Sequence, residues 1–243
     1  MRLRSKIEQC QARNEKFYSF EYFPPKTSAG VENLYSRMDR MAALEPLFCN
    51  MTCGNVDPLT TTLRLASNAQ QYIGLDMVMH ITCANQSKDD IRATLNAAKE
   101  AGIKNVMALR GEQYGSALKA STDLSHAVNL VDMIVEEYGS DTFGIGVAGH
   151  PEKHVEATTL EEDVAFLKAK VDAGAEFVIT QFFFDAEAYF NFEKLARSAG
   201  INVPIIPGIM PIQNYKGFLR MTSFCNINVP REVHLYIQHI FKN

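Results

Sequence analysis

Apolar runs of strand length recur along the chain at roughly thirty-residue intervals, the spacing of a strand, a helix and two loops. They are FYSFEYF from Phe17, PLFCNMTC from Pro46, LDMVMHITC from Leu75, KNVMALRG from Lys104, TFGIGVAGH from Thr142, AEFVITQFFF from Ala175 and VPIIPGIM from Val203. They show little polar alternation, which predicts strands buried on both faces, as in a parallel sheet covered by helices. Helical periodicity fills the gaps. Val31, Leu34, Tyr35, Met38 and Met41 recur at three- and four-residue steps, as do Leu124, Ala127, Val128, Val131 and Ile134. Ser87 with Asp89 and Asp90 reads as a helix start whose stripe continues through Ile91, Leu95 and Ala98. Gly102, Gly174 and Gly200 each follow an alanine where a helix should stop.

Regular βα repeats predict an α/β chain of the (β/α)8 TIM-barrel type, and the C-terminal part supplies no eighth strand-like run. After Met210, residues 214–224 and 230–241 read as helices, the second with Pro230 in its first turn and Val233, Tyr236, Ile237 and Ile240 as its apolar face. The expected organisation is a single barrel domain over 1–243, incomplete at its C-terminus, with residues 1–16 as an N-terminal helical extension. A doubly wound open sheet is the alternative. It lacks support, because FEYFPPKT stands where a glycine-rich dinucleotide turn would follow the first strand.

Composition narrows the function. A chain of 243 residues, 47% hydrophobic and 21% charged, is neither disordered nor a disulfide miniprotein. Its net charge of -4 lacks the basic surplus of a nucleic-acid binder. The five cysteines have no zinc-knuckle spacing and read as reduced core thiols. No apolar stretch is long enough for a membrane span, and no signal-type apolar segment follows the basic start, so a soluble, cytoplasmic protein is expected.

Catalytic groups of a βα barrel gather at the C-terminal ends of its strands. Those positions hold Glu21, Thr52, His80, Arg110 with Glu112, His150 with His154, and Gln181. Glu21 stands among Phe20, Tyr22 and Phe23, ahead of Pro24 and Pro25. A carboxyl in such company loses solvation and gains a raised pKa suited to a general acid; a buried Glu paired with an arginine is the equal alternative. Arg110 and Gly111 suit a phosphate grip or, as readily, a helix-capping pair. The histidines match no compact metal motif, and no metal is expected.

Taken together, YSFEYFPPKT, HITC, NVMALRGE, VAGHPEKH, ITQFFFD and PIIPGIMPI closely resemble the methylenetetrahydrofolate reductase family, in order from Phe17 to the chain end. The eukaryotic-type catalytic domain is the nearer likeness. The resemblance implies an FAD-containing βα barrel that reduces 5,10-methylenetetrahydrofolate to 5-methyltetrahydrofolate with NADPH or NADH, in one-carbon and methionine metabolism. It implies Glu21 as the general acid and Glu21, Glu112 and Gln181 as folate contacts. It implies FAD contacts at Thr52, His80, Arg110, Gly111, Glu112, His126, Ala127, His150, His154, Glu156, Ala157, Asp163 and Lys170. Four departures stand out. Cys53 replaces the family's Trp and Glu112 its Asp, His126 and His150 replace Tyr, and the FYTLN-type closing strand and the regulatory domain are not found. A barrel left open would self-associate through its unpaired edges, so a homo-oligomer is expected. The competing reading is a truncated, non-catalytic barrel remnant or a regulatory partner of the full-length enzyme.

Overall fold

The computed structural model describes residues 1–53, 58–84, 86–111 and 124–242. All seven apolar runs are strands: β1 (Ser19–Tyr22), β2 (Phe48–Met51), β3 (Met77–Thr82), β4 (Asn105–Leu109), β5 (Gly144–Gly149), β6 (Phe177–Phe182) and β7 (Ile205–Gly208). They follow one another in chain order. A doubly wound sheet must reverse direction at a switch point, and β1 to β5 run in sequence without one. The architecture is that of a (β/α) barrel with seven strand–helix units among the described residues.

The chain divides into two compact units, Met1–Val147 with Ala173–Glu176, and Ala148–Asp172 with Phe177–Asn243. In the first, α1 (Leu3–Ala12) buries Leu3 and Ile7. Leu3 N donates to Asn105 Oδ1 at the start of β4, 2.7 Å away. Arg2 pairs with Glu176, and Lys6 with Asp76, just before β3. These contacts fasten α1 across the N-terminal ends of the strands, leaving their C-terminal ends for chemistry. The covering helices are α2 (Ser28–Ala42), α3 (Pro58–Asn68), which runs into a π-helical turn at Ala69–Ile73, α4 (Lys88–Glu100) and α5 (Ala127–Tyr138). Ser87 caps α4 as expected: its side chain accepts from Asp90 N, and the Asp90 carboxylate reaches back to Ser87 N. Gly102 ends that helix at φ +75°, a left-handed conformation that costs glycine little.

The second unit pairs β6 with β7 in parallel and carries α6 (Leu160–Asp172), α7 (Ala186–Ser198), α8 (Tyr215–Phe224) and α9 (Arg231–Lys242). Phe192 of α7 is fully buried, and a Cβ on Gly149 would come within 2.8 Å of its ring. Asn214 caps α8, its side chain accepting from Gly217 N.

Three sequence expectations need correcting. Leu124 lies ahead of α5 rather than on its stripe, although it is buried. Pro230 precedes α9 instead of occupying its first turn, as a residue without an N–H can do on either side of the helix start. The apolar face foreseen for α9 is buried only at Ile237, while Tyr236 is 67% and Ile240 48% exposed. The helical period was right, but period alone does not say how much of a face is covered.

Candidate active site

Parallel register decides which side chains share a face. Tyr22 Oη contacts Met41 Sδ of α2, so Tyr22 points to the helix layer and Glu21 to the opposite face. Glu21 and Asn50 are rung partners across β1 and β2, and Asn50 and Val78 across β2 and β3. Two residues further along the same face come Thr52 and His80. The first unit therefore gathers Glu21, Asn50, Thr52 and His80 at the C-terminal ends of its strands.

Glu21 can be reached by solvent, yet the protein crowding it desolvates the carboxyl and raises its pKa. Water access and crowding coexist where a side chain stands in a concavity. Asn50, Thr52 and His80 are buried, at 2%, 8% and 7% exposure. Asn50 Oδ1, Thr52 Oγ1 and His80 Nε2 have no hydrogen-bond partner. Buried polar atoms are nearly always paired, so the orphans at Thr52 and His80 point to a polar ligand. Burial lowers the His80 pKa to about 4, which keeps the ring neutral at physiological pH. Cys53 Sγ lies 3.6 Å from Thr82 Oγ1, and burial raises its thiol pKa. Burial likewise pushes Cys49 and Cys83 to about 11, the behaviour of inert core thiols.

Just past β4, Arg110 accepts Ala84 N–H on its carbonyl, and Gly111 follows at φ +88°. A Cβ on Gly111 would stand 2.9 Å from Thr82 Cβ, so only glycine lets this backbone lie against β3. His126 is exposed before α5: its N–H donates to Asn129 Oδ1 and its Nδ1 meets Ser125 Oγ at 3.0 Å. Ala127 opens α5. Glu112 lies outside the described residues.

The second unit holds the other cluster. The rings of His150 and His154 are 4.9 Å apart. Glu156 N donates to His154 Nδ1, and Lys153 Nζ to Ala157 O, folding residues 150–157 back on themselves. His150 Nδ1 sits 3.5 Å from Asp163 Oδ2, a contact too long to satisfy the ring nitrogen. Burial would raise the Asp163 carboxyl, but His150, with Lys170 behind it, brings it below its ordinary value. Lys170 donates to Ala148 O at 2.8 Å. Burial lowers its pKa to about 8, opposed by the charge of Asp163. Gln181, at the end of β6, accepts Phe182 N–H on Oε1. Among the described residues no group of three His, Cys, Asp or Glu side chains is arranged to hold a metal.

The sequence reading missed Asn50. Its signal was a lone amide inside the apolar run FCNMTC, two residues before Thr52.

His80 has a measurable consequence. Its folded pKa lies near 4 against 6.5 for the free side chain, so the unfolded chain takes up the proton first. Stability is complete above about pH 6.5 and is lost as pH falls toward 4, by about 3 kcal/mol from this group. Urea unfolding of His80→Gln across that range should show a shallower acid loss than the parent protein. Parallel pH curves would contradict the assignment.

The strand order and the helices between the strands are those of the βα-barrel class, with a crowded carboxyl and orphaned buried polar atoms in the first unit and a His–Asp–Lys cluster in the second. The family model for methylenetetrahydrofolate reductase matches residues 6–243, and the chain belongs to that family. A probable methylenetetrahydrofolate reductase (NADH) of Oryza sativa is 42% identical over the whole chain, which covers 43% of that relative. The 5,10-methylenetetrahydrofolate reductase of Pectobacterium carotovorum is 38% identical over 87% of the chain and 70% of the relative. The chain thus spans less than half the length of the plant relatives it matches. A solved structure aligns with TM-score 0.65 at 16% identity, over 96% of this chain and 79% of the other. It is an uncharacterized protein from Clostridium thermocellum described as binding two copies of 5-methyl-5,6,7,8-tetrahydrofolic acid. At that identity it supports the fold.

Proposed function

We propose that the chain forms the catalytic barrel of an FAD-dependent reductase that converts 5,10-methylenetetrahydrofolate to 5-methyltetrahydrofolate with NADH or NADPH as hydride donor. The observation that carries this reading is Glu21, a strand-end carboxyl whose pKa is raised by desolvation. A carboxyl whose proton is held more tightly than usual is suited to give it to the folate bridge, opening the five-membered ring to an electrophilic iminium carbon. The relatives named for NADH and NADPH supply the hydride-donor class.

The residues present fit FAD. The orphaned Thr52 Oγ1 and His80 Nε2 suit the polar edge of a planar ring, and neutral His80 brings no charge. Arg110 and Gly111, and separately His150, His154 and Lys170, offer donors of the kind a pyrophosphate requires, and the Asp163 carboxylate an acceptor of the kind that suits ribose hydroxyls. His126 and Ala127, and in the second unit Glu156 and Ala157, are further FAD contacts in this proposal, as Glu112 and Gln181 are pterin contacts. When bound, FAD supplies hydride transfer between the nicotinamide and the folate carbon. Glu21 has only to time the proton.

No described helix is long and apolar enough to cross a membrane. A cytoplasmic setting fits the free cysteines. A homo-oligomer, and a place in methionine synthesis, follow from the same reading.

The absorbance spectrum of the purified protein tests it. Flavin bands that bleach on adding NADH or NADPH and return on adding methylenetetrahydrofolate are the expected result. A folded, colourless protein that takes up no added FAD would refute it.

A further inference from the structure

We propose that Asn50 is the positioning partner of Glu21, its amide Oδ1 accepting the hydrogen bond that the protonated carboxyl donates. The two residues are rung partners on β1 and β2, with side chains on the same face of the sheet. Rung partners in a parallel pair are laterally adjacent, within reach of a carboxyl and an amide. Asn50 is 2% exposed and its Oδ1 has no partner, so an unpaired acceptor lies buried on the rung that Glu21 shares. An ionised Glu21 only accepts, whereas a protonated one donates, so the orphan is satisfied in one protonation state alone.

The surroundings leave that role to Asn50. On this face β2 also presents Thr52, β3 presents Val78, His80 and Thr82, and β4 presents Met107 and Leu109. Of these only His80 titrates, and it stays neutral down to about pH 4. Cys53, beside Thr82, keeps its thiol proton. The cations of the α1 end, Arg2 and Lys6, are paired with Glu176 and Asp76. Behind the sheet α2 meets Tyr22, not Glu21. Arg110 follows β4 beyond these rungs. A hydrogen bond to the neutral carboxyl favours that form, so Asn50 holds the acid ready and fixes the direction in which its proton points.

This inference deepens the reductase reading, and its test is independent of turnover. Protein carrying 13C-carboxyl glutamate would be titrated by NMR, with the Glu21 signal assigned by its loss in Glu21→Gln. In Asn50→Ala the Glu21 pKa should fall by about one unit, the equivalent of one lost hydrogen bond. Asn50→Ser differs from it by a single acceptor oxygen and should recover much of that shift. Where folate is reduced, the alkaline limb of the pH–rate profile should move with the NMR value. A Glu21 titration unchanged in Asn50→Ala, or identical in the alanine and serine variants, overturns the pairing. The expected shifts in a protein that reduces no folate would uphold the pairing and refute the reductase reading.

Discussion

On the proposed reductase reading, Glu21→Gln should abolish folate reduction while leaving reduction of the bound flavin by the nicotinamide near its parental rate. Only the folate half-reaction needs a proton on the substrate, and a positioned general acid contributes about 10²–10⁴-fold. Glutamine keeps the size and much of the polarity of the side chain but has no acidic proton. It also removes a group whose charged form is penalised by its surroundings, so the fold should not suffer. The sign of the pH dependence follows from the same shift. A carboxyl with a raised pKa stays protonated to higher pH, and the parent's folate half-reaction should decline as pH climbs through that value. Stopped-flow measurement of the two half-reactions separates them. Equal losses in both would mean that Glu21 supports the site's structure rather than its chemistry.

How much of this was legible beforehand depends on the kind of signal. Burial on both faces writes itself into sequence as unbroken apolar runs, so every strand among the described residues could be read, and capping chemistry fixed the start of α4 at Ser87. Strand ends were legible for a related reason: Glu21, Thr52 and His80 are polar residues closing apolar runs, and the register assembles them on one face. Asn50 escaped because it lies inside such a run, where only the pairing of β1 with β2 reveals what it faces. The extent of cover over α9 was equally hidden, since an amphipathic period states which face is apolar and nothing about its neighbour. Part of the carry-over from the family, Glu21 and Gln181 in particular, falls in different compact units, and spacing along the chain carries no information on their separation.

Gly208→Ala should be among the most damaging single-methyl additions in the chain. Gly208 ends β7 opposite Phe182, where the pairing with β6 slips between Ile179 and Phe182. A Cβ there would lie 2.3 Å from the Thr180 carbonyl oxygen and 3.3 Å from Gln181 C and Phe182 N. These are backbone atoms, so no side-chain rotation can relieve the clash and the strands must part. Parting them also strains the bond from Gly208 N to Thr180 Oγ1. Overpacking of this kind costs about 1–3 kcal/mol, and more where the neighbour cannot move. For a domain of this size that is a fall in melting temperature of roughly 2–12 °C. Gln181 sits on the displaced stretch, its orientation set by the bond from Phe182 N, so if it holds folate as proposed, folate affinity should fall along with stability. Gly74→Ala is the control: Gly74 has φ +81° but nothing within 4 Å of its Cβ direction, so it costs only the backbone term of about 1 kcal/mol. Thermal melts and folate titrations of the two variants should therefore diverge. If Gly208→Ala melts no lower than Gly74→Ala and binds folate as the parent does, the close approach of β7 to β6 is not what positions Gln181.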